Sequence, residues 1–358
     1  MRSTKRVYYY LEEFIADRSR MLIGILLAGA IIFAAHPLLA VSKKGTSVAQ
    51  FLKIGVGARA AAMGSAFVGL ANDVTALYWN PAGIARLDRP QFMAAHTEWF
   101  ADLNHEFMGL SLPLGPSTAL GVSFTAFYAP EMEQTTIEEP EGTGIYFDTQ
   151  DIAIGLTYAR RLTDRFSFGM TAKYVHQRLF NETASTFAVD IGGQLHTGFK
   201  GMRLGMVMTN FGGKMRLDGR DLIVSYDPRV DVAGNPLIES KLSTESWPLP
   251  HSFRIGIALD LLGKQAAVHY DPIQRITVTI DGYHVNDAAE TLNWGAEYAW
   301  SELFFLRAGY RWNHDTERWS LGVGIRLPFQ RWMVQADYAF AQMGDLGPIQ
   351  RMQIGIQF

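Results

Sequence analysis

The 358-residue sequence contains no cysteine. This absence excludes disulfide bonds, zinc–thiolate sites, a thiol nucleophile and an N-terminal lipid anchor, which needs a cysteine to acylate. The sequence also lacks a basic excess, because its net charge is −3 at pH 7, and nucleic acid is therefore not an expected partner. After residue 40 no apolar run reaches about 18 residues, so no membrane-spanning helix is predicted there.

The one long apolar run lies at the N-terminus and has the pattern of a targeting segment. It reads "MLIGILLAGAIIFAA" over residues 21–35, and "HPLLA" follows and ends on a small residue. Five basic side chains precede it: Arg2, Lys5, Arg6, Arg18 and Arg20. We expect residues 1–40 to be a signal peptide cleaved after Ala40, so that the mature chain is exported. A retained membrane anchor is the alternative, and the true start is either Met1 or Met21.

Residues 91–358 repeat an alternation of apolar and polar side chains with a period of two. In "QRMQIGIQF" at the C-terminus, Met352, Ile354 and Ile356 share one parity, and Gln353 and Gly355 share the other. This pattern predicts β-strands, and most of them are close to the length that a tilted transmembrane strand needs. Fourteen segments are predicted: 91–99, 105–113, 118–128, 150–161, 165–177, 184–196, 201–211, 251–262, 273–284, 291–300, 303–312, 317–328, 331–341 and 349–358.

A barrel explains these strands better than a soluble sandwich. The polar parity is mostly Gly, Ala, Ser and Thr, which suits a crowded lumen, and aromatic side chains stand near strand ends on the apolar parity. The two longest connections, 129–149 and 212–250, both follow odd-numbered strands, as long extracellular loops would. The predicted fold is therefore all-β: a 14-stranded antiparallel transmembrane β-barrel, formed by residues 91–358, in contact with outer-membrane lipid in a bacterial cell.

Residues 41–90, here called the hatch, differ from the rest because they are helical in pattern and nearly uncharged. Met63 and Phe67 share one face of a helix, and Asn72 or Asp73 can cap a second helix, "VTALYW".

A third helical turn is predicted at "NPAGIARL", with Asn80 as N-cap and Pro81 at the first helical position. A barrel of fourteen strands would otherwise enclose a wide lumen. We therefore expect the hatch to plug the periplasmic side of the lumen.

Charged residues of both signs share the polar, lumen-facing parity. We expect them to form internal ion pairs that hold strands and hatch together, because unpaired charges are costly in a confined lumen. This favours a closed barrel over a conducting porin. The candidates are Arg254, Asp260, Arg275, Asp281, Glu297, Arg307, Arg326 and Asp337, together with Lys173, Asp190 and Arg311.

The segment "KIGVGARAAAMGSAFVGLANDVTALYWNPAGIARL" resembles the N-terminal signature of PorV/PorQ-type outer-membrane proteins. It is similar, more loosely, to the Asn-Pro-Ala hatch opening of FadL-type fatty-acid channels, which also have fourteen strands. The first resemblance implies a binding or accessory role in type IX secretion, with secretion-machinery proteins or exported cargo as partners. The second implies transport of long-chain fatty acids or another hydrophobic ligand across the outer membrane, and this stays the alternative.

Other chemistry is weakly indicated. "GVGARA" matches the glycine spacing of a dinucleotide-binding fingerprint, but no buried strand precedes it, as such a site requires. The nine His residues lack the paired spacing of metal ligands. We therefore expect no cofactor, no metal and no enzymatic activity. The acidic segment 129–149 and the proline-containing segment 212–250 are the candidate partner surfaces, and we expect the second to fold over the barrel mouth or to meet a partner.

Overall fold

A computed structural model describes residues 44–228 and 237–358. The predicted signal peptide, residues 1–40, lies outside the described residues and stays a prediction. Within the two described ranges, no helix is long and apolar enough to cross a membrane.

Fourteen long strands form one closed sheet. They are β1 (Gln91–Glu98), β2 (Asn104–Pro113), β3 (Thr118–Tyr128), β4 (Thr149–Arg161), β5 (Phe166–Leu179), β6 (Glu182–His196), β7 (Arg203–Gly212), β8 (Ser252–Gly263), β9 (Gln274–Val285), β10 (Thr291–Trp300), β11 (Phe304–Trp312), β12 (Trp319–Phe329), β13 (Trp332–Gln342) and β14 (Pro348–Gln357). The predicted spans match these strands closely, and those over 118–128 and 291–300 match at both ends.

Each of these strands pairs antiparallel with the next, and β14 closes the barrel on β1, where Gln91 is opposite Gln357. The longest connections, 129–148 and 213–251, leave the same end of the barrel. Long loops mark the extracellular end of an outer-membrane barrel, so Gln91 and Gln357 lie at the periplasmic end. The predicted fold class, including a helical hatch in the lumen, is confirmed.

Side-chain alternation places each strand between lipid and lumen. In β10, Asn293 and Glu297 are buried on the lumen side, whereas Trp294 and Trp300 are exposed on the outer side. Further exposed aromatic side chains stand at strand ends and form the expected girdles: Trp312, Trp319, Trp332 and Phe358. Trp99 lies partly buried in the β1–β2 loop and outside these girdles, with the Arg351 guanidinium 5.6 Å from its ring centre.

The hatch consists of short helical elements joined by tight turns. Two are α-helices, Ala58–Ala62 and Ala76–Trp79, and two are 3₁₀ turns, Gln50–Lys53 and Pro81–Arg86. Nearly every residue from 56 to 85 is buried. The main hydrophobic core therefore lies inside the barrel, between the hatch and inward-facing wall residues such as Phe107.

The hatch reaches further than the sequence predicts. Residues 44–54, here called the N-terminal strap, lie at the extracellular mouth, because Lys44 pairs with Asp315 in the 313–318 loop and Ser47 bonds Asp287 in the 286–290 loop. The expectation of a plug confined to the periplasmic side is wrong for this part. The strap lies at the extracellular mouth because Phe51 and Leu52 are buried in an apolar cluster at that end of the barrel.

The long 213–251 loop has a buried base and an exposed tip. At its base Met215 pairs with Trp247, and Met215 and Leu249 are buried against the strap. At its tip, strands Ile223–Tyr226 and Ile238–Lys241 pair as a small sheet that exposes Tyr226 and Ile238. The base therefore helps to close the mouth, and the tip is exposed to solvent.

Candidate functional site

On the lumen side of β10, a buried carboxylate binds three guanidinium groups. Both oxygens of Glu297 accept hydrogen bonds from Arg59 of the hatch, from Nε at 2.8 Å and from Nη2 at 2.9 Å. Arg307 Nε donates to the same carboxylate at 2.7 Å, and Arg275 Nη1 donates at 3.0 Å. Glu297 is fully buried, so this cluster ties the hatch to the walls β9, β10 and β11 at one point.

Arg59 is the hatch residue that enters this cluster. It also donates to Asp73 at 2.9 Å and to Asn72 at 2.8 Å, which places both predicted capping residues beside it. Burial alone would lower the pKa of Arg59, but attraction to Glu297 and Asp73 outweighs burial and raises it, so the guanidinium stays charged. Asp73 additionally accepts the backbone N–H of Thr75 at 2.9 Å. The N-cap of the helix Ala76–Trp79 is Thr75, so the prediction that Asn72 or Asp73 caps this helix is wrong.

Asp337 extends the polar cluster along β13. Arg307 Nη1 donates to its Oδ1 at 2.7 Å. Gln335 and Gln353 donate to its Oδ2 at 2.7 and 2.9 Å. Arg326 donates to the side-chain oxygen of Gln335, at 2.7 Å for the shorter contact, and forms no ion pair within the described ranges. Gln335 therefore links Arg326 to Asp337, in place of the ion pair expected for Arg326.

Arg254 is surrounded by aromatic rings instead of carboxylates. Its guanidinium carbon is 4.3 Å from the ring centre of Tyr283, 4.8 Å from Trp79 and 5.5 Å from Tyr78. Among the residues that the structure describes, Arg254 has no ion-pair partner. The expected ion pair is replaced by cation–π contacts, which offset part of the cost of burying the charge.

Two lumen carboxylates bind partners that the sequence did not indicate. Asp281 accepts the backbone N–H of Val68 in the hatch at 2.7 Å and, within residues 44–228 and 237–358, has no cationic partner in ion-pair range. Asp260 pairs with Arg203 at 2.6 Å and accepts from Thr277 at 2.7 Å. One of these carboxylates thus holds the hatch backbone, and the other joins neighbouring strands.

The remaining predicted hatch residues lie in the packed interface with the wall. Met63 and Phe67 are fully buried, but the helix Ala58–Ala62 ends before both, so the prediction that they share one face of a helix is wrong. Asn80 caps the 3₁₀ turn by accepting the N–H of Ala82 at 3.2 Å, and its amide nitrogen donates to the carbonyl of Gly193 on β6 at 3.0 Å. Pro81 follows at the first position of that turn.

Wall glycines allow the hatch backbone to touch the strands. A Cβ atom at Gly309 would collide with the backbone of Gly64, and one at Gly205 would collide with the carbonyl of Val68. At Gly169 it would meet the backbone of Pro81. The hatch is therefore interlocked with opposite walls of the barrel by shape as well as by charge.

At the extracellular mouth, Asp287 holds the N-terminal strap. It accepts from Ser47, from Gln50 at 2.7 Å and from Lys53 at 3.1 Å. Burial alone would raise the pKa of Asp287, but these hydrogen bonds and the Lys53 charge outweigh burial and lower it. The carboxylate thus stays ionised at neutral pH and pins three strap residues to the loop after β9.

Several contributors were missed from the sequence, among them Arg59, Asp287, Gln335 and Gln353. Arg59 carried a usable signal, because it is the one charged residue between Lys53 and Asp73. No group of three or more His, Asp or Glu side chains in the described ranges is arranged to hold a metal ion.

Residues 41–223 match the sequence profile of a family described as type IX secretion system protein PorV. No curated protein sequence matches the chain.

Three solved barrels have a similar fold, each with a TM-score of 0.53 and each aligned over 85% of this chain. The monoaromatic hydrocarbon channel CymD is 14% identical over 96% of its own length. The Ralstonia pickettii toluene transporter TbuX is 11% identical over 97%, and the Pseudomonas putida toluene transporter TodX is 12% identical over 97%. At such identities the likeness shows the fold alone.

Proposed function

The chain belongs to the family of the type IX secretion system protein PorV and is a FadL-like barrel of the bacterial outer membrane, and from this premise we propose that it is a non-enzymatic binding component of protein export. Neither the matched family nor the similar transporter barrels are enzyme families. In this role the barrel presents surfaces to secretion machinery or to exported cargo and does not conduct solutes.

The filled bore is the observation that carries this proposal. Glu297 and Arg59 join the hatch to the wall through fully buried charges, and Gly309 lets the hatch backbone sit against β11. Opening a solute path would break the buried ion pair between Arg59 and Glu297, which is strongly unfavourable. A barrel closed in this way acts through its outer surfaces.

The extracellular loops offer those surfaces. The 129–148 loop contains six acidic residues and no Lys or Arg, and within it Ile137 is almost completely exposed. The tip of the 213–251 loop exposes Tyr226 and Ile238. Exposed apolar side chains beside charge are typical of protein-binding surfaces.

The test is a truncation of the 213–251 loop that spares its base. Residues 223–241 are replaced by a short Gly–Ser turn, so that the Met215–Trp247 pairing is kept. We expect a folded barrel, seen as altered gel mobility before heating, with a strong loss of type IX cargo export. A matched variant replaces residues 264–273 of the periplasmic connection in the same way and should export normally. Normal export by the first variant would contradict the proposal.

Transport of a hydrophobic compound is the second candidate, and a wall irregularity favours it. The β6–β7 register shifts between Val189 and Ile191, and Asn210 opposite has a positive φ of 62°. The apolar mouth cluster, which includes Phe51 and Ala188, lies on the lumen side of the same strand. Uptake of a labelled long-chain fatty acid that depends on this barrel, with export unaffected by its deletion, would favour this candidate over the first.

A further inference from the structure

The membrane-facing wall contains a cleft that the export role does not use. The cleft has a volume of about 570 Å³ and lies across strands β9 to β13. Ala296 on β10 and Ala308 on β11 form its floor, and they are direct cross-strand partners. We call this feature the alanine notch.

Large side chains border the alanine notch on two sides. One step toward the extracellular end, Trp294 pairs with Tyr310. One step toward the periplasmic end, Tyr298 pairs with Leu306. All four project outward, because alternate residues of a strand share one face. The two alanines therefore leave a gap on the outer surface between the Trp294–Tyr310 pair and the Tyr298–Leu306 pair.

The two tyrosine hydroxyls that border the cleft already donate hydrogen bonds to neighbouring side chains. Tyr298 donates its hydroxyl to Gln274 Oε1 at 2.9 Å, and Tyr338 donates to Gln350 Oε1 at 3.0 Å. Glu297 and Arg307 also border the cleft, but their side chains point into the lumen, where they bond each other at 2.7 Å. An occupant of the notch therefore has no hydrogen bond to make, which fits a hydrocarbon chain better than a polar loop.

The position of the notch decides what kind of hydrocarbon reaches it. Trp300 and Phe304 mark the periplasmic end of the same two strands, and Trp312 marks the extracellular end. Aromatic girdles lie at the two membrane interfaces, so the notch between them faces the acyl chains of the bilayer. We propose that the alanine notch binds an acyl chain of an outer-membrane lipid in a fixed position on the barrel wall.

The alanine notch also lies on the outer side of the wall segment that holds the Arg59–Glu297 contact. Its floor residue Ala296 directly precedes Glu297, and Ala308 directly follows Arg307. An acyl chain seated there packs against the outer side of the wall segment whose inner side holds Arg59.

The test compares two Ala→Phe variants that place the same side chain on the membrane-facing surface. Ala308→Phe fills the notch, whereas Ala94→Phe on β1 lies elsewhere on the lipid-facing wall, between Met108 and Ile354. Purified barrels in mild detergent are compared by native mass spectrometry and lipid extraction. We expect lipid to be retained by the wild type and by Ala94→Phe, and to be lost from Ala308→Phe. No lipid on the wild type, equal retention by Ala308→Phe, or a co-purifying protein lost in its place would overturn the proposal.

A second measurement keeps the test independent of detergent. The same three proteins are reconstituted in phosphatidylethanolamine–phosphatidylglycerol vesicles that contain a trace of lipid spin-labelled on its acyl chain. The motionally restricted fraction of the spectrum should fall in Ala308→Phe and stay unchanged in Ala94→Phe. An equal restricted fraction in all three would contradict a specific site. Altered gel mobility before heating confirms that each variant is folded.

Discussion

Glu297→Gln should loosen the hatch without unfolding the barrel. The substitution keeps the shape of the side chain but removes the charge that faces Arg59, Arg275 and Arg307. Removing one partner of a buried ion pair costs about 3–5 kcal/mol. Each guanidinium keeps a second carboxylate partner, and we therefore expect a loss near the lower end, about 3 kcal/mol.

The assay uses the absence of cysteine from the chain. A Ser65→Cys substitution places one nearly isosteric thiol in the hatch, at a site that is 7% exposed. A loss of about 3 kcal/mol raises the fraction of opened hatch roughly 100-fold, since every 1.4 kcal/mol is a factor of ten. The rate of maleimide labelling should rise by the same factor while gel mobility before heating stays that of a folded barrel.

Glu302→Gln is the matched control for this experiment. Glu302 binds Arg275 as well, but its side chain is 51% exposed. Exposed pairs contribute about 1 kcal/mol or less, so labelling should change by only a few-fold. Equal labelling rates in the two variants, or no increase in Glu297→Gln, would refute the claim that a buried charge cluster holds the hatch.

Three further predictions concern the strap, the wall and the topology. Because the pKa of Asp287 is lowered, the stability that its carboxylate gives to the strap is complete above about pH 4 and is lost as the pH falls through the folded-state pKa. Proteolysis of the strap in the wild type should therefore increase only in acid. In Asp287→Asn, the same proteolysis should occur at neutral pH. Gly309→Ala should destabilise the folded protein by about 1–3 kcal/mol in urea titration through collision with the hatch, whereas Gly282→Ala, where a Cβ meets only ordinary contacts, should not. A cell-impermeant maleimide should label Lys44→Cys on intact cells and Lys264→Cys only after permeabilisation; the reverse order would contradict the strap's position.

The strands could be predicted because lipid and lumen impose opposite demands on alternate residues. In β14, Met352 and Ile354 face outward, whereas Arg351 and Gln353 are buried inside. A period of two follows directly from this arrangement, and it is visible in the sequence without any knowledge of contacts. The parity of the lumen charges followed from the same rule.

The partners of those charges could not be predicted, because they depend on distances across the bore. Arg254 meets aromatic rings from the hatch and β9, and Asp281 meets a backbone N–H of the hatch. Strand parity determines whether a side chain faces the lumen or the lipid, but it does not indicate which hatch residue that side chain contacts. The position of the strap was missed for a related reason, since the helical pattern of residues 41–90 gives no direction along the barrel axis.

Planar-bilayer recording of the purified barrel tests the central claim most directly. A bore filled by the interlocked hatch predicts no large steady conductance from the wild type, and a barrel lacking residues 44–87 provides the open reference. Large, steady conductance from the folded wild-type protein would contradict the account.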